Sequence, residues 1–131
     1  MKKEIENTEL IPVEMKKMEV VQEQVENKRL ELQEKLKRPV YSYIVDMEDD
    51  DYAICFIQEP QRLTKMRIID MLAQSQGVTA AGQTLFESSV IREESDQRIF
   101  SQDCKYDGLY LTIITNCVDL ISVYSDVLKK K

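Results

Sequence analysis

Histidine is absent from this sequence. Its absence removes imidazole acid–base catalysis, Ser-His and Cys-His nucleophile pairs, and His-ligated metal sites. Carboxylates, Lys, Tyr and Cys remain, but no spacing gathers them into a catalytic set. The expectation is a protein that is not an enzyme and needs no cofactor. Cys55, Cys104 and Cys117 are odd in number, widely separated and without a CxxC, which supports neither a disulfide framework nor a zinc site. They are expected to be reduced, mostly buried thiols. No apolar run approaches the roughly 18 residues of a membrane span. The charged opening "MKKEIENTEL" has no apolar segment of the secretory kind, so synthesis in the cytoplasm and no membrane contact are expected.

What the chain does have is charge. Twenty-four acidic residues face eighteen basic ones, for a net charge of −6. A general nucleic-acid binder is usually basic, so no nucleic-acid partner is expected. The close interleaving of the two signs also argues against mimicry of nucleic acid. Positive charge is concentrated in "KLKR" (35–38) and "KKK" (129–131), where helices should end and cations complement the helix dipole. With 131 residues, 43% of them hydrophobic, the chain can build one core of moderate size.

Residues 12–38 read as a long helix, with Pro12 at its first position and Pro39 unable to continue it. Ile11, Met18, Val25 and Leu32 recur every seven residues, while the companion rows are charged or half apolar. So thin a stripe, with Leu36 near its end, suits neither a two-stranded coiled coil nor a core helix. It predicts an arm whose seam (Ile11, Met18, Val25, Leu32, Leu36) binds another surface. That surface could belong to the same chain, a second copy or a partner protein. "VYSYIV" and "YAICFI" (52–57) alternate as two strands of a β-hairpin with two fairly apolar faces.

Two helices should follow. The first begins after Pro60, carries Leu63, Met66, Ile69 and Leu72 at three-residue steps with Ile68 and Met71 broadening the stripe, and stops at Gly77. The second spans "VTAAGQTLFESSVI", with Val78, Ala81, Leu85 and Phe86 on one side. Gly82 inside it implies a close helix approach or a kink. Residues 92–106 read as a loop anchored by Ile99 and Phe100. A last helix should start at an Asp107 N-cap and run to the C-terminus, organising the core through Tyr110, Ile113, Ile114, Cys117, Leu120, Ile121, Tyr124, Val127 and Leu128. The fold class is thus α+β and mostly helical: a long N-terminal arm (1–38), then a small body (39–131) with one hairpin and two or three helices.

Asp46, Glu48, Asp49, Asp50 and Asp51 crowd six positions. An EF-hand loop started at Asp46 would need Gly at its sixth position and Glu at its twelfth, where Asp51 and Ile57 stand. No metal site is expected. Asp49, Asp50 and Asp51 are read as the acidic tip of the hairpin, solvated or in salt bridges, and any role there would be contact with a basic partner.

From residue 52 onward the order is a strand running into "EPQR", a helix, "AAGQTLFESSVI", an acidic loop and an amphipathic end. This arrangement resembles a family of small proteins encoded among the virion and tail genes of tailed bacteriophages. Pro60, Arg62, Ala81, Gly82, Leu85, Asp107, Leu120 and Ile121 carry the resemblance, and the N-terminal helix lies outside it. The resemblance implies a structural or assembly role in a phage, through contacts with other phage proteins or with further copies of the chain, and incorporation into the virion. Alternatives are a tail-assembly chaperone left out of the particle, or a small inhibitor or adaptor binding a host protein. No small-molecule substrate is implied.

Overall fold

A computed structural model describes the backbone of residues 2–74 and 77–121, and the side chains of 17–74 and 77–121. Helix α1 is Lys2–Leu36, about 50 Å long at 1.5 Å per residue. It begins before the expected start and runs through Pro12. A helix can carry an interior proline at the cost of one backbone hydrogen bond, so the punctuation expected there is not a start. The far end stops as expected. Lys37 turns left-handed (φ 58°) and Pro39 follows it, which together prevent another helical turn.

Strands β1 (Val40–Asp46) and β2 (Tyr52–Gln58) form an antiparallel hairpin, pairing Val40 with Gln58 and Asp46 with Tyr52. Because side chains alternate across a strand, the hairpin divides the interior in two. Tyr43, Val45, Ala53, Cys55 and Ile57 face the larger core, with Ile68, Leu85, Phe86, Ile99, Ile113 and Ile114. Val40, Ile44, Ile54 and Phe56 face the other way and meet Val21, Val25 and Leu32 of α1. The arm therefore lies along the back of its own hairpin.

Helices α2 (Arg62–Ala73), α3 (Val78–Ser89) and α4 (Asp107–Cys117) cover the opposite face. Gly77, at φ 91°, precedes α3 as its N-cap, a left-handed backbone that glycine adopts without strain. It thus starts α3 and does not stop α2, which ends at Gln74. Gly82 marks a close approach: a Cβ there would sit 1.8 Å from the carbonyl oxygen of Ile114 on α4. Residues 92–106 wind through three short 3-10 turns. Ile99 is buried, and Phe100 stacks on Phe86 with ring centroids 5.9 Å apart.

The last helix is shorter than its sequence pattern predicts. Its N-cap is Tyr106, with Asp107 already helical in the first turn. After Cys117 comes a 3-10 turn, Val118–Leu120, and Ile121 is extended. Tyr124, Val127, Leu128 and the lysines at 129–131 lie outside the described residues. β-branched residues in "LTIIT" leave the helix intact because Ile113 and Ile114 are buried against the hairpin and α3, and packing overrides propensity.

The free side of β2 is covered by its own chain. Ile91 N–H donates to the Phe56 carbonyl (2.8 Å) and Asp96 N–H to that of Ile54 (2.8 Å). Between them the buried Ser95 hydroxyl accepts from Phe56 N–H (3.0 Å) and donates to the Ile91 carbonyl (2.7 Å). A side-chain oxygen thus completes the edge where no carbonyl reaches, which removes a template for strand addition.

Candidate functional site

The acidic tip is a tight turn. Asp51 N–H donates to the Glu48 carbonyl (3.0 Å), and Met47 N–H to that of Asp51 (2.8 Å). Asp49 and Asp50 have φ of 53° and 60°, the left-handed pair that a type I′ hairpin turn requires and that aspartate tolerates. Two of the three tip carboxylates are engaged within the chain. Asp50 lies 3.0 Å from Lys17 of α1. Asp51 accepts two hydrogen bonds from Arg98 (2.5 and 3.0 Å), and the same guanidinium binds Asp96 (2.8 Å). The Arg98 hydrogen bonds hold both Asp51 and Asp96 below the usual carboxylate range. Asp49 has no ion pair among the described residues. Among those residues, no three carboxylates or thiols converge on a point where a metal ion could sit. The tip is a turn stapled by two cations, Lys17 and Arg98, and it keeps a net negative charge.

The seam residues divide. Val25 and Leu32 are buried, and they spend their apolar surface on the chain's own hairpin. Met18 is half-buried and Leu36 is exposed; the side chain of Ile11 lies outside the described residues. Along its second half, then, the arm shares a core with residues 39–131 and does not form a separate module. Polar contacts fix its register. Gln33 Oε1 accepts from Val40 N–H (3.1 Å), and Arg29, itself paired with Glu26, donates to the Val40 carbonyl (3.1 Å).

The "KLKR" cluster is dispersed. Lys37 pairs with Glu34 at 2.7 Å, and Arg38 donates to the Glu59 carbonyl at 2.7 Å. Cys55 and Cys117 are buried, and burial pushes both thiols up to about 12, so neither is a nucleophile near neutral pH. Cys104, expected with them in the interior, is exposed on a 3-10 turn. A groove of about 480 Å³ runs between α1 and the tip. Lys28 in its wall stands 3.1 Å from Glu94, and the lining carboxylates Asp50 and Asp51 are paired with Lys17 and Arg98, so its charged groups are already engaged within the chain and do not converge on a small ligand.

A different surface stands out. On α2 the apolar residues Leu63, Met66 and Ile69 are 76%, 54% and 41% exposed, with Leu72 exposed beside them. The helix is seated instead through Ile68, which is fully buried, and the half-buried Met71. At 100° per residue Ile68 lies about 160° from Met66, so α2 is apolar on two opposite sides. Sequence periodicity reported the stripe, broadened by Ile68 and Met71, without saying which side is buried. The remaining signal was the breadth of apolar positions, which exceeds what one buried face needs.

No protein-family model matches the chain, and neither curated proteins nor solved structures give a significant match. Among the described residues no helix is long and apolar enough to cross a membrane.

Proposed function

We propose that the chain is a non-enzymatic structural protein of a tailed bacteriophage, acting through protein–protein contacts in the head–tail or tail region. The observation that carries the contact reading is the outer face of α2, where Leu63, Met66 and Ile69 form an exposed apolar stripe on one helix. Such a stripe is costly in water and is ordinarily covered by a partner. The phage setting comes from the arrangement of residues 52–121 described above, from "EPQR" through "AAGQTLFESSVI" to Leu120 and Ile121. The contact is placed on α2 because Val25 and Leu32 of the arm are already taken up by the hairpin.

Mass spectrometry of purified virions tests the reading. Stoichiometric recovery with the particle supports it, and the Met66→Asp variant should be depleted from particles. Absence from the particle, with a stable complex on an unassembled tail protein, would make the chain an assembly chaperone. Absence with a discrete host partner would make it an inhibitor or adaptor.

A further inference from the structure

The two edges of the hairpin are treated differently. The edge of β2 is closed by residues 91–96, where Ile54 and Phe56 bond outward. Ala53, Cys55 and Ile57 therefore bond inward, to Val45, Tyr43 and Tyr41, and the even-numbered residues of β1 turn their N–H and C=O groups to its free side. Val40 is closed there by α1, since Gln33 accepts from its N–H and Arg29 donates to its carbonyl. The backbone groups of Ser42, Ile44 and Asp46 on that side meet no partner among the described residues. Burial shows the same asymmetry. Tyr43, Ile44 and Val45 touch the two cores yet stay half-buried, whereas Ala53, Cys55, Phe56 and Ile57 of β2 are buried.

The open stretch is centred on Ile44. A two-fold axis through Ile44, perpendicular to the sheet, lays β1 antiparallel to β1 of a second copy and keeps every side chain on its own face. Ile44 then stands level with the partner's Ile44, and Ser42 with the partner's Asp46. Each of these levels is a hydrogen-bonded pair that exchanges two N–H···O bonds. Between them, Tyr43 stands beside the partner's Val45 on the face that α2–α4 cover. An axis at Tyr43 would instead set Asp46 against the closed Val40. Only the axis at Ile44 uses all three open residues.

We infer that β1 is a homodimerisation strand that pairs antiparallel with β1 of a second copy about a two-fold axis at Ile44. Two features name a second copy as the occupant. The first is charge. β1 leaves the basic "KLKR" (35–38) and runs into the acidic tip, so antiparallel pairing lays the basic end of each copy beside the acidic end of the other. Arg38 and Asp49, one at each end, have no ion pair among the described residues. The second is closure. The sheet becomes β2–β1–β1–β2, and both of its outer edges are already covered by residues 91–96. A foreign strand would present a new open edge, whereas a second copy leaves none. This pairing is independent of the contact through α2. The interface is small, so association is concentration-dependent.

Sedimentation equilibrium and residue-resolved amide hydrogen exchange of the full chain test it. The wild-type mass should rise with concentration toward twice the 15.3 kDa monomer mass. Over the same range, exchange of the Ser42, Ile44 and Asp46 amides should slow by at least about 10-fold. Ser42→Pro removes an outward N–H that the monomer does not use and sets a ring on the edge. It should weaken association by at least about 30-fold. Met66→Asp, on the outer face of α2, should leave association unchanged. A wild type that stays monomeric to several hundred micromolar overturns the inference. So does a dimer whose three amides exchange as fast as in the monomer, a result that needs no variant and decides the matter if Ser42→Pro fails to fold. A dimer lost in Met66→Asp but kept in Ser42→Pro overturns the pairing of β1 and leaves the contact through α2 standing.

Discussion

At Gly82 the absence of a single carbon sets the distance between two helices. A methyl group would overlap the Ile114 carbonyl, and backbone cannot swing aside as a side chain can. Gly82→Ala should therefore destabilise the protein by about 3 kcal/mol in urea unfolding, despite alanine's better helix propensity. A neutral or stabilising result would mean that α3 and α4 do not approach as described. Arg98 acts at the same scale, joining the tip to the 92–106 loop through Asp51 and Asp96. Both carboxylates are held below their ordinary values. Their contribution to stability is full above the unfolded value of about 4 and is lost as pH falls through the folded values. Arg98→Gln should lower the urea midpoint at pH 7, and the gap from wild type should close as pH drops below about 4. A gap unchanged down to pH 2.5 would contradict the ion-pair account. Asp49→Asn, by contrast, should leave the midpoint within error, because Asn tolerates the same left-handed turn.

Among the elements, α1 is bound where it meets the hairpin. Leu32→Ala should cost about 3 kcal/mol, the usual penalty for emptying a buried leucine site. Deleting residues 1–38 would strip the cover from Val40, Ile44, Ile54 and Phe56 and should leave an aggregating or unfolded remnant. Deleting 1–16 stops short of Val21 and should keep the cooperative transition; loss of that transition would show that α1 is held mainly by its first half. The hairpin was legible in the sequence because two short β-branched and aromatic runs flank a polar tip. The body helices were legible in number and place. Their seating was not. Leu63, Met66, Ile69 and Leu72 have the period of a buried face, and only the third dimension shows that Ile68 takes that role. The tip's carboxylates were plain in "DMEDDD", but their cations, Lys17 and Arg98, come from 33 and 47 residues away. The extent of α1 past Pro12 and the break after Cys117 also escaped pattern reading, since proline punctuation and apolar periodicity are weak signals of where a helix ends.

As a whole molecule, the chain is layered: α1, then the hairpin, then the α2–α4 helices. The hairpin's two faces are both covered, and the free side of β2 is closed by the 91–96 segment. Among the described residues, the outer side of α2 carries three large exposed apolar side chains, Leu63, Met66 and Ile69, the surface proposed for a partner. Thiol protection at Met66 reads the contact proposal most directly. In a Cys104→Ser background the remaining thiols, Cys55 and Cys117, are buried and unreactive, so Met66→Cys supplies the single accessible thiol among the described positions. A maleimide should label it rapidly in the free chain and slowly in the assembled particle, whereas a control Thr112→Cys on the exposed side of α4 should label alike in both. If Met66→Cys labels as fast in the particle as in the free chain, the contact through α2 is wrong.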